Sequence, residues 1–501
     1  MSIASIQQEP AAGIQGSQIR RFLQTLALAF LFTAAAMYEA FRLSALGGAE
    51  VWSHLRTGIW ILQNHAIPHN GLFSQYLDSP WVAHSWIFDL VLAAAYQCIG
   101  LRALPVLLML FKAAIAVTLF LLARGSWYNL WPALLLTAFA QYAISNLQLQ
   151  PVLCSALLFA GELCLLFDAL RTGSARRLPW LLLLFALWAN LDIGFVYGLF
   201  LLGWFVTALT TKKIVDRWKA TSSENGAEPF PLGVVGAIAG SCFVVTLLPP
   251  YGFHRYEAIA QVFDRSTLFR YLPELHGAGF RQPGDFVLLL LTATAFFSLG
   301  RHHSLDLFKL GVLISSAMVS FSAERDSWIV VVVSVAVIAD ALPVQKPASG
   351  ASSLWQLRNL GAAGLVLLIL LPAIDRIPSS RGVLLGDVGK TFPVAACDYI
   401  RANNLPGPLF NAYEWGGFLT WYLPEYPVVI DSRQDLYGDE INVRYFKLTN
   451  SETPLNADLH FAYARTILLQ RRSAMAVALS AEPQFTVRYQ DNVAMVLAPR
   501  G

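Results

Sequence analysis

Long apolar runs, each closed by a few polar or charged residues, repeat along the first three quarters of the chain. They fall near 22–43, 84–100, 103–123, 127–146, 151–170, 178–190, 193–211, 231–249, 285–299, 305–322, 326–342 and 358–374. A helix of about 20 apolar residues spans a bilayer, so the pattern predicts a polytopic α-helical membrane protein with 11 to 13 spans. The runs at 178–190 and 285–299 are short for a straight crossing and read as re-entrant or deeply buried segments. Arg20 and Arg21 precede the first run without a clear cleavage pattern. Residues 1–21 are therefore expected to form a cytoplasmic N-terminal segment, with the first membrane helix behind them.

Two stretches break this rhythm. The first, 44–83, carries Glu50 to Gly58 ahead of Trp60, Ile61 and Leu62, a spacing that predicts a short amphipathic helix lying in the membrane interface. Ile67-Pro68-His69-Asn70-Gly71 ends it, and Trp81-Val82-Ala83-His84-Ser85-Trp86 leads back to the membrane, with Asp89 about one turn from His84 and Ser85. The second begins near Ser380, where short helix and strand signals alternate. Val394–Ile400 and Phe461–Leu469 read as helices. Pro408–Asn411, Val428–Ile430 and Ala476–Ala478 read as strands, and Phe485–Tyr489 with Val493–Leu497 as a closing hairpin around Asp491-Asn492. The expected division is a membrane domain over 22–375, including the outer amphipathic loop 44–83, and a small extracytoplasmic α/β domain over 376–501.

Charge sharpens that division. Apolar residues make up 56% of the 501 and Asp, Glu, Lys and Arg only 13%, about half the usual share of a soluble domain. Positions 376–501 hold 12 basic and 12 acidic residues, while the preceding 375 hold the other 43 charges. The net charge of +3 provides no field for nucleic acid. Lys212, Lys213, Arg217 and Lys219 mark a cytoplasmic loop, and 44–83, poor in Lys and Arg, suits the opposite face. Counting every run as a crossing puts 212–230 outside, however, so one segment within 84–190 is miscounted.

Five cysteines, Cys98, Cys154, Cys164, Cys242 and Cys397, lack CxxC spacing and read as core thiols. No Gly-rich nucleotide loop and no HExxH metal motif appears. Ionisable residues inside or beside apolar runs, Glu162, Asp168, Asp192, Glu324, Arg325 and Asp326, must face protein, a cavity or the interface.

The islands Trp52-Ser53-His54-Leu55-Arg56-Thr57-Gly58, Ile67-Pro68, Trp81-Val82-Ala83-His84-Ser85-Trp86, Trp188 to Phe195, Asn411-Ala412-Tyr413-Glu414-Trp415-Gly416-Gly417 and Ile430-Asp431-Ser432-Arg433 resemble a group of bacterial polytopic proteins related to the GT-C membrane glycosyltransferases. That resemblance implies a multi-pass protein of the bacterial cytoplasmic (inner) membrane. It also implies transfer of a sugar from a polyprenyl-phosphate donor to an extracytoplasmic acceptor. Proteins of that fold place an acidic residue in the first outer loop, and Glu50 stands there where relatives usually carry aspartate. Asp192 stands where relatives often carry histidine, and Leu149-Gln150-Pro151 lacks the arginine many have before the proline. Altered donor specificity and a non-catalytic descendant both fit these departures.

Sugar transfer needs a carboxylate to take the acceptor's proton, or to bind a metal that activates it, and cations to meet the departing phosphate. Glu50 is the candidate base. His54, one turn on, is a candidate contact to substrate or metal, and Asp192 a candidate contact to acceptor hydroxyls or a cation. His84 and Asp89 are candidates for lining the cavity, Arg325 for holding the lipid phosphate, and Asp431 and Arg433 for a ligand-facing loop at a strand end. Each has a structural alternative: a helix cap, a buried hydrogen bond or, for Asp431 and Arg433, a fold-locking ion pair. A divalent metal is left open as cofactor. Expected partners are the lipid-linked sugar, its acceptor, membrane lipids and another membrane protein. A non-enzymatic envelope or membrane-complex assembly protein is the second reading and a transporter the third, the latter disfavoured by the lack of an evident inverted repeat.

Overall fold

The computed structural model describes residues 23–24, 26–34, 37–38, 42–124, 130–219, 231–248, 250–263, 270–272, 275–301, 306–341, 370–455 and 458–500. The predicted segment 1–21 and most of the predicted span 358–374 lie outside the described residues, and the run 22–43 is described in part.

Two packed helices lead into the membrane bundle, α1 (Glu50–Asn64) and α2 (Trp86–Ile99). Glu50 in the first turn of α1 suits the positive end of the helix dipole, and His65 closes the helix in the left-handed region at φ 50°. Their close approach is set by Gly58. A Cβ there would overlap the backbone carbonyl of Asp89 and the side chain of Ala93. α2 stops at Gly100, whose φ of 64° costs a residue without Cβ little.

The packing of α2 does not fit the straight crossing expected at 84–100. Asp89 near its start lines a cavity together with residues 432–435. Near its end, Tyr96 meets the ring of Trp421 edge-on at 6.1 Å, and Arg102, just beyond, donates to the carbonyl of Ile374. Both ends therefore lie on the C-terminal domain's side. Its hydropathy misleads because Phe88, Leu92 and Ala93 are buried by protein; apolar composition alone does not tell a protein cover from a lipid one.

Removing this crossing resolves the counting conflict. α3 (Ala103–Arg124), α4 (Leu130–Ala143), α5 (Val152–Thr172), α6 (Trp180–Leu191) and α7 (Phe195–Lys219) then alternate in direction, so that Val152 and Gly194 meet at the cavity while Lys212, Lys213, Arg217 and Lys219 close the far end of α7. α8 (Leu232–Val245) leads to α9 (His254–Phe263) at the cavity end, where the Tyr251 hydroxyl donates to the Pro68 carbonyl at 2.6 Å and accepts from Ala83 N at 3.1 Å. α10 (Pro283–Arg301), α11 (Leu307–Ser322) and α12 (Ser327–Ala341) complete the described bundle. At its far end Asp340 joins Arg171 at 2.8 Å and Lys309 at 2.6 Å. Every residue of α12 from Trp328 to Ala339 is buried, as expected of a helix apolar on all faces.

Among the described residues four apolar helical stretches are long enough to cross a bilayer: Trp86–Arg124, interrupted at Gly100, Val152–Thr172, Phe195–Trp218 and Pro283–Arg301. The last corrects the short run read at 285–299, which extends to 19 residues. Trp180–Leu191 stays short at 12.

Beyond the bundle come α13 (Arg381–Val388), α14 (Val394–Ala402), α15 (Gly416–Tyr422), α16 (Gln434–Thr449), α17 (Leu459–Ala462) and α18 (Ala474–Ala481), with strands β1 (Leu409–Asn411), β2 (Thr466–Gln470), β3 (Phe485–Gln490) and β4 (Ala494–Pro499). The sheet order is β1-β2-β4-β3. β1 and β2 pair in parallel with Leu409 opposite Thr466, and β4 is antiparallel to both neighbours.

Three sequence expectations change here. The stretch 461–469 is a four-residue helix followed by β2, because Ile467, Leu468 and Leu469 sit in an inner strand buried on both faces and so lack the alternation that marks a half-buried strand. Residues 476–478 are helical, started by Ser473, whose hydroxyl accepts from Ala476 N at 3.2 Å. Val428 joins no sheet. It forms a bridge with Ser74 of the first outer loop, held by Val428 N to Phe73 O at 3.0 Å and Gln75 N to Val428 O at 2.9 Å.

Candidate active site

The site begins with the α1–α2 contact. Because Gly58 lets the helices close, His54 on α1 reaches Asp89 on α2, Nδ1 to Oδ1 at 2.7 Å. Burial pulls the His54 pKa down, but the Asp89 carboxylate beside it, with Glu50 and Asp192 farther off, outweighs burial and holds the imidazole above its ordinary value. The opposite face of α1 carries Trp52, fully buried, stacked on Trp421 at 4.8 Å and edge-on to Phe392 and Phe418. Trp52 is thus covered by the C-terminal domain. Gly417 permits this: a Cβ there would overlap the Ser53 hydroxyl, which lies 3.0 Å from that of Ser432.

A second element comes from the α6–α7 junction. Asp192 Oδ2 accepts from the Ser155 hydroxyl and from Gly194 N at 3.1 Å, and Ser155 accepts in turn from Trp188 Nε1 at 2.7 Å. One carboxylate edge is therefore fixed by the protein. Across from it, between α11 and α12, Arg325 Nε stands 3.9 Å from Asp326 Oδ1, and Asp326 Oδ2 accepts from the Tyr197 hydroxyl at 3.0 Å.

The C-terminal domain closes the third side. Asp431, fully buried, takes both Arg433 Nε and Nη2, at 3.0 and 2.6 Å, and Nη2 also donates to Leu72 O at 2.8 Å. The guanidinium lies over the Trp81 ring at 4.8 Å. Burial works against the charge, but Asp431 overcomes it and raises the Arg433 pKa. Trp81 Nε1 donates to Asp435 Oδ2 at 3.0 Å, with His84 Nε2 3.8 Å from the same oxygen.

These elements enclose one cavity of about 200 Å³ lined by Glu50, His54, His84, Asp89, Asp192, Arg325 and Arg433, with Ser53, Tyr197, Asp326, Ser432, Gln434 and Asp435. Of the candidate site residues, Asp431 alone is absent from the wall; it stands behind, locking Arg433. Tyr197 and Ser155, which set Asp326 and Asp192, carried no signal, being neutral residues within apolar runs. Among the described residues no group of three or more His, Cys, Asp or Glu is placed to hold a metal ion. What the arrangement can do is accept a proton at a carboxylate while presenting cations to a departing anion.

The chain matches no protein-family model and no curated protein. It does match solved structures. The oligosaccharyltransferase of Archaeoglobus fulgidus tethered with an acceptor peptide is 11% identical, with 89% of this chain and 69% of that chain covered and a TM-score of 0.51. The AglB oligosaccharyltransferase of the same organism, in complex with an inhibitory peptide and a dolichol-phosphate, is 12% identical over the same shares, also at 0.51. ArnT from Cupriavidus metallidurans bound to undecaprenyl phosphate is 15% identical over 93% of this chain and 97% of that chain, at 0.46. The likeness to the oligosaccharyltransferase is one of fold: this chain is a polytopic α-helical membrane protein with a small C-terminal α/β region, folded like that enzyme.

Proposed function

We propose that the chain transfers a sugar from a polyprenyl-phosphate donor to an acceptor on the extracytoplasmic face of a bacterial inner membrane. The observation that carries this reading is the single cavity in which Glu50, the His54–Asp89 pair, Asp192, Arg325 and Arg433 converge. The cationic far end of α7 supports the orientation, since basic loops stay in the cytoplasm, leaving the cavity and the C-terminal domain outside.

In the proposed step the acceptor oxygen attacks the anomeric carbon and the bond from that carbon to the phosphate oxygen breaks. The bonding pair leaves with the phosphate and the acceptor's proton passes to Glu50. Arg325 and Arg433 face the charge that grows on the phosphate. Asp192, one edge fixed by Ser155 and Gly194, and His54, fixed by Asp89, orient sugar hydroxyls. Glutamate reaches farther than aspartate, so the acceptor would sit correspondingly deeper.

Purified protein in lipid nanodiscs, given a panel of polyprenyl-phosphate sugars with and without divalent metal, should release polyprenyl phosphate and form a glycosylated product. Glu50→Gln should lower turnover about 100-fold or more, the usual worth of a general base, with donor binding retained. Unchanged turnover removes Glu50 from the role. Folded protein inactive across a broad panel would favour the assembly reading.

A further inference from the structure

Arg255 is 1% exposed, and its Nε, Nη1 and Nη2 find no hydrogen-bond partner among the described residues. It lies in the first turn of α9, its Cζ 5.9 Å from the centre of the Phe195 ring. Burial lowers its pKa to about 10, so it stays cationic at neutral pH. The two arginines of the cavity wall have carboxylates: Arg433 makes two hydrogen bonds to Asp431, and Arg325 lies 3.9 Å from Asp326. A buried guanidinium without an acceptor is costly, and replacing such a group with an apolar side chain of similar volume is often neutral or stabilising. Its presence is explained by an acceptor that arrives from outside.

The surroundings say where that acceptor enters. Phe195 follows Gly194 of the cavity wall. Tyr251, four residues before Arg255, ties Pro68 to Ala83, and Ala83 also lines the cavity. The guanidinium therefore stands one residue behind the wall. On the same segment Leu248 and Phe253 are exposed by 76% and 64%, the pattern of a surface that meets lipid at the bilayer interface.

We propose that Arg255 is a phosphate-binding residue of this site, taking the phosphate of a lipid-linked ligand as it enters from the bilayer. The inference rests on reading the cavity as a lipid-phosphate site but not on sugar transfer taking place there. A guanidinium presents paired N–H donors that match two phosphate oxygens at once, and a shift of Tyr251 or Phe195 would open it to the cavity.

The test is the thermal melting of the full chain in phosphatidylcholine nanodiscs, with polyprenyl phosphate, phosphatidylglycerol or inorganic phosphate added, for wild type, Arg255→Met, Arg255→Gln and Arg255→Lys. Without additive, Arg255→Met should melt at or above wild type. Polyprenyl phosphate should raise the wild-type melting temperature, with the shift reduced at least threefold in Arg255→Met and Arg255→Gln and partly kept in Arg255→Lys. An undiminished shift in both neutral variants overturns the proposal. Equal stabilisation by phosphatidylglycerol or inorganic phosphate overturns the assignment to a lipid phosphate monoester. Sugar transfer by wild type with an undiminished shift in the variants sinks this inference alone; a lost shift in protein that transfers no sugar sinks the transfer reading alone.

Discussion

His54 and Asp89 couple the chemistry of the cavity to its construction, because the hydrogen bond that orients the imidazole also joins α1 to α2. The folded state raises the His54 pKa above its ordinary 6.5, so the pair contributes fully below that value, and the contribution is lost as pH rises through the raised pKa. Asp89→Asn should cost about 2 kcal/mol at pH 6, the usual worth of a hydrogen bond to a charged group, and clearly less at pH 9. Melting temperatures of both proteins across that range check it; a constant difference would mean that His54 does not titrate between pH 6 and pH 9. At this scale much was legible. Charged residues beside apolar runs are conspicuous, and Glu50, His54, Asp192 and Arg325 do face one cavity. What stayed hidden is who holds whom. Ser155 and Tyr197 act through hydroxyls, which hydropathy does not distinguish within a membrane helix, and Asp431 serves Arg433 from behind the wall.

Among the elements, α2 teaches most. Its 14 residues are apolar enough to pass for a membrane crossing, yet protein covers their buried face. The sequence did carry a clue: the basic residues after α7 disagreed with the span count, and a helix lying on one side is what reconciles them. Thiol labelling can check this directly. Cys98, exposed near the end of α2, and a cysteine placed at exposed Asp78 should both react with a membrane-impermeant maleimide from the cavity side, whereas a cysteine at Lys212 should react only after permeabilisation. Labelling of Cys98 and Asp78→Cys from opposite sides would restore a crossing helix. In the C-terminal domain the closing hairpin was readable from its alternation and its Asp-Asn turn. β2 was not, because a strand buried on both faces and a buried helical segment look alike in sequence.

On the scale of the whole molecule, the C-terminal domain is part of the site, since Ser432, Arg433, Gln434 and Asp435 line the same cavity as Glu50 and Asp192. The charges mark an expected boundary near 376, but the union of the two parts was not legible, because it depends on pairings between residues more than 300 positions apart. Trp421 anchors that union through Trp52 and Tyr96. Trp421→Ala should cost about 3 kcal/mol, as for a large aromatic removed from a core, and should make the loop around Ser74 more sensitive to protease. Unchanged melting and cleavage would show that the domain is held elsewhere.

The side chain of Gln75 donates to the carbonyl of Leu409, 334 residues later in the chain. During synthesis at about 5–20 residues per second, the first outer loop therefore waits roughly tens of seconds before the strand that secures it exists. A chain that ends between Asp192 and Leu409 has Glu50 and Asp192 but no finished pocket around them. The pocket is complete only with the last quarter of the polypeptide, so under the proposed function a truncated product left in the bilayer would not consume the lipid-linked donor.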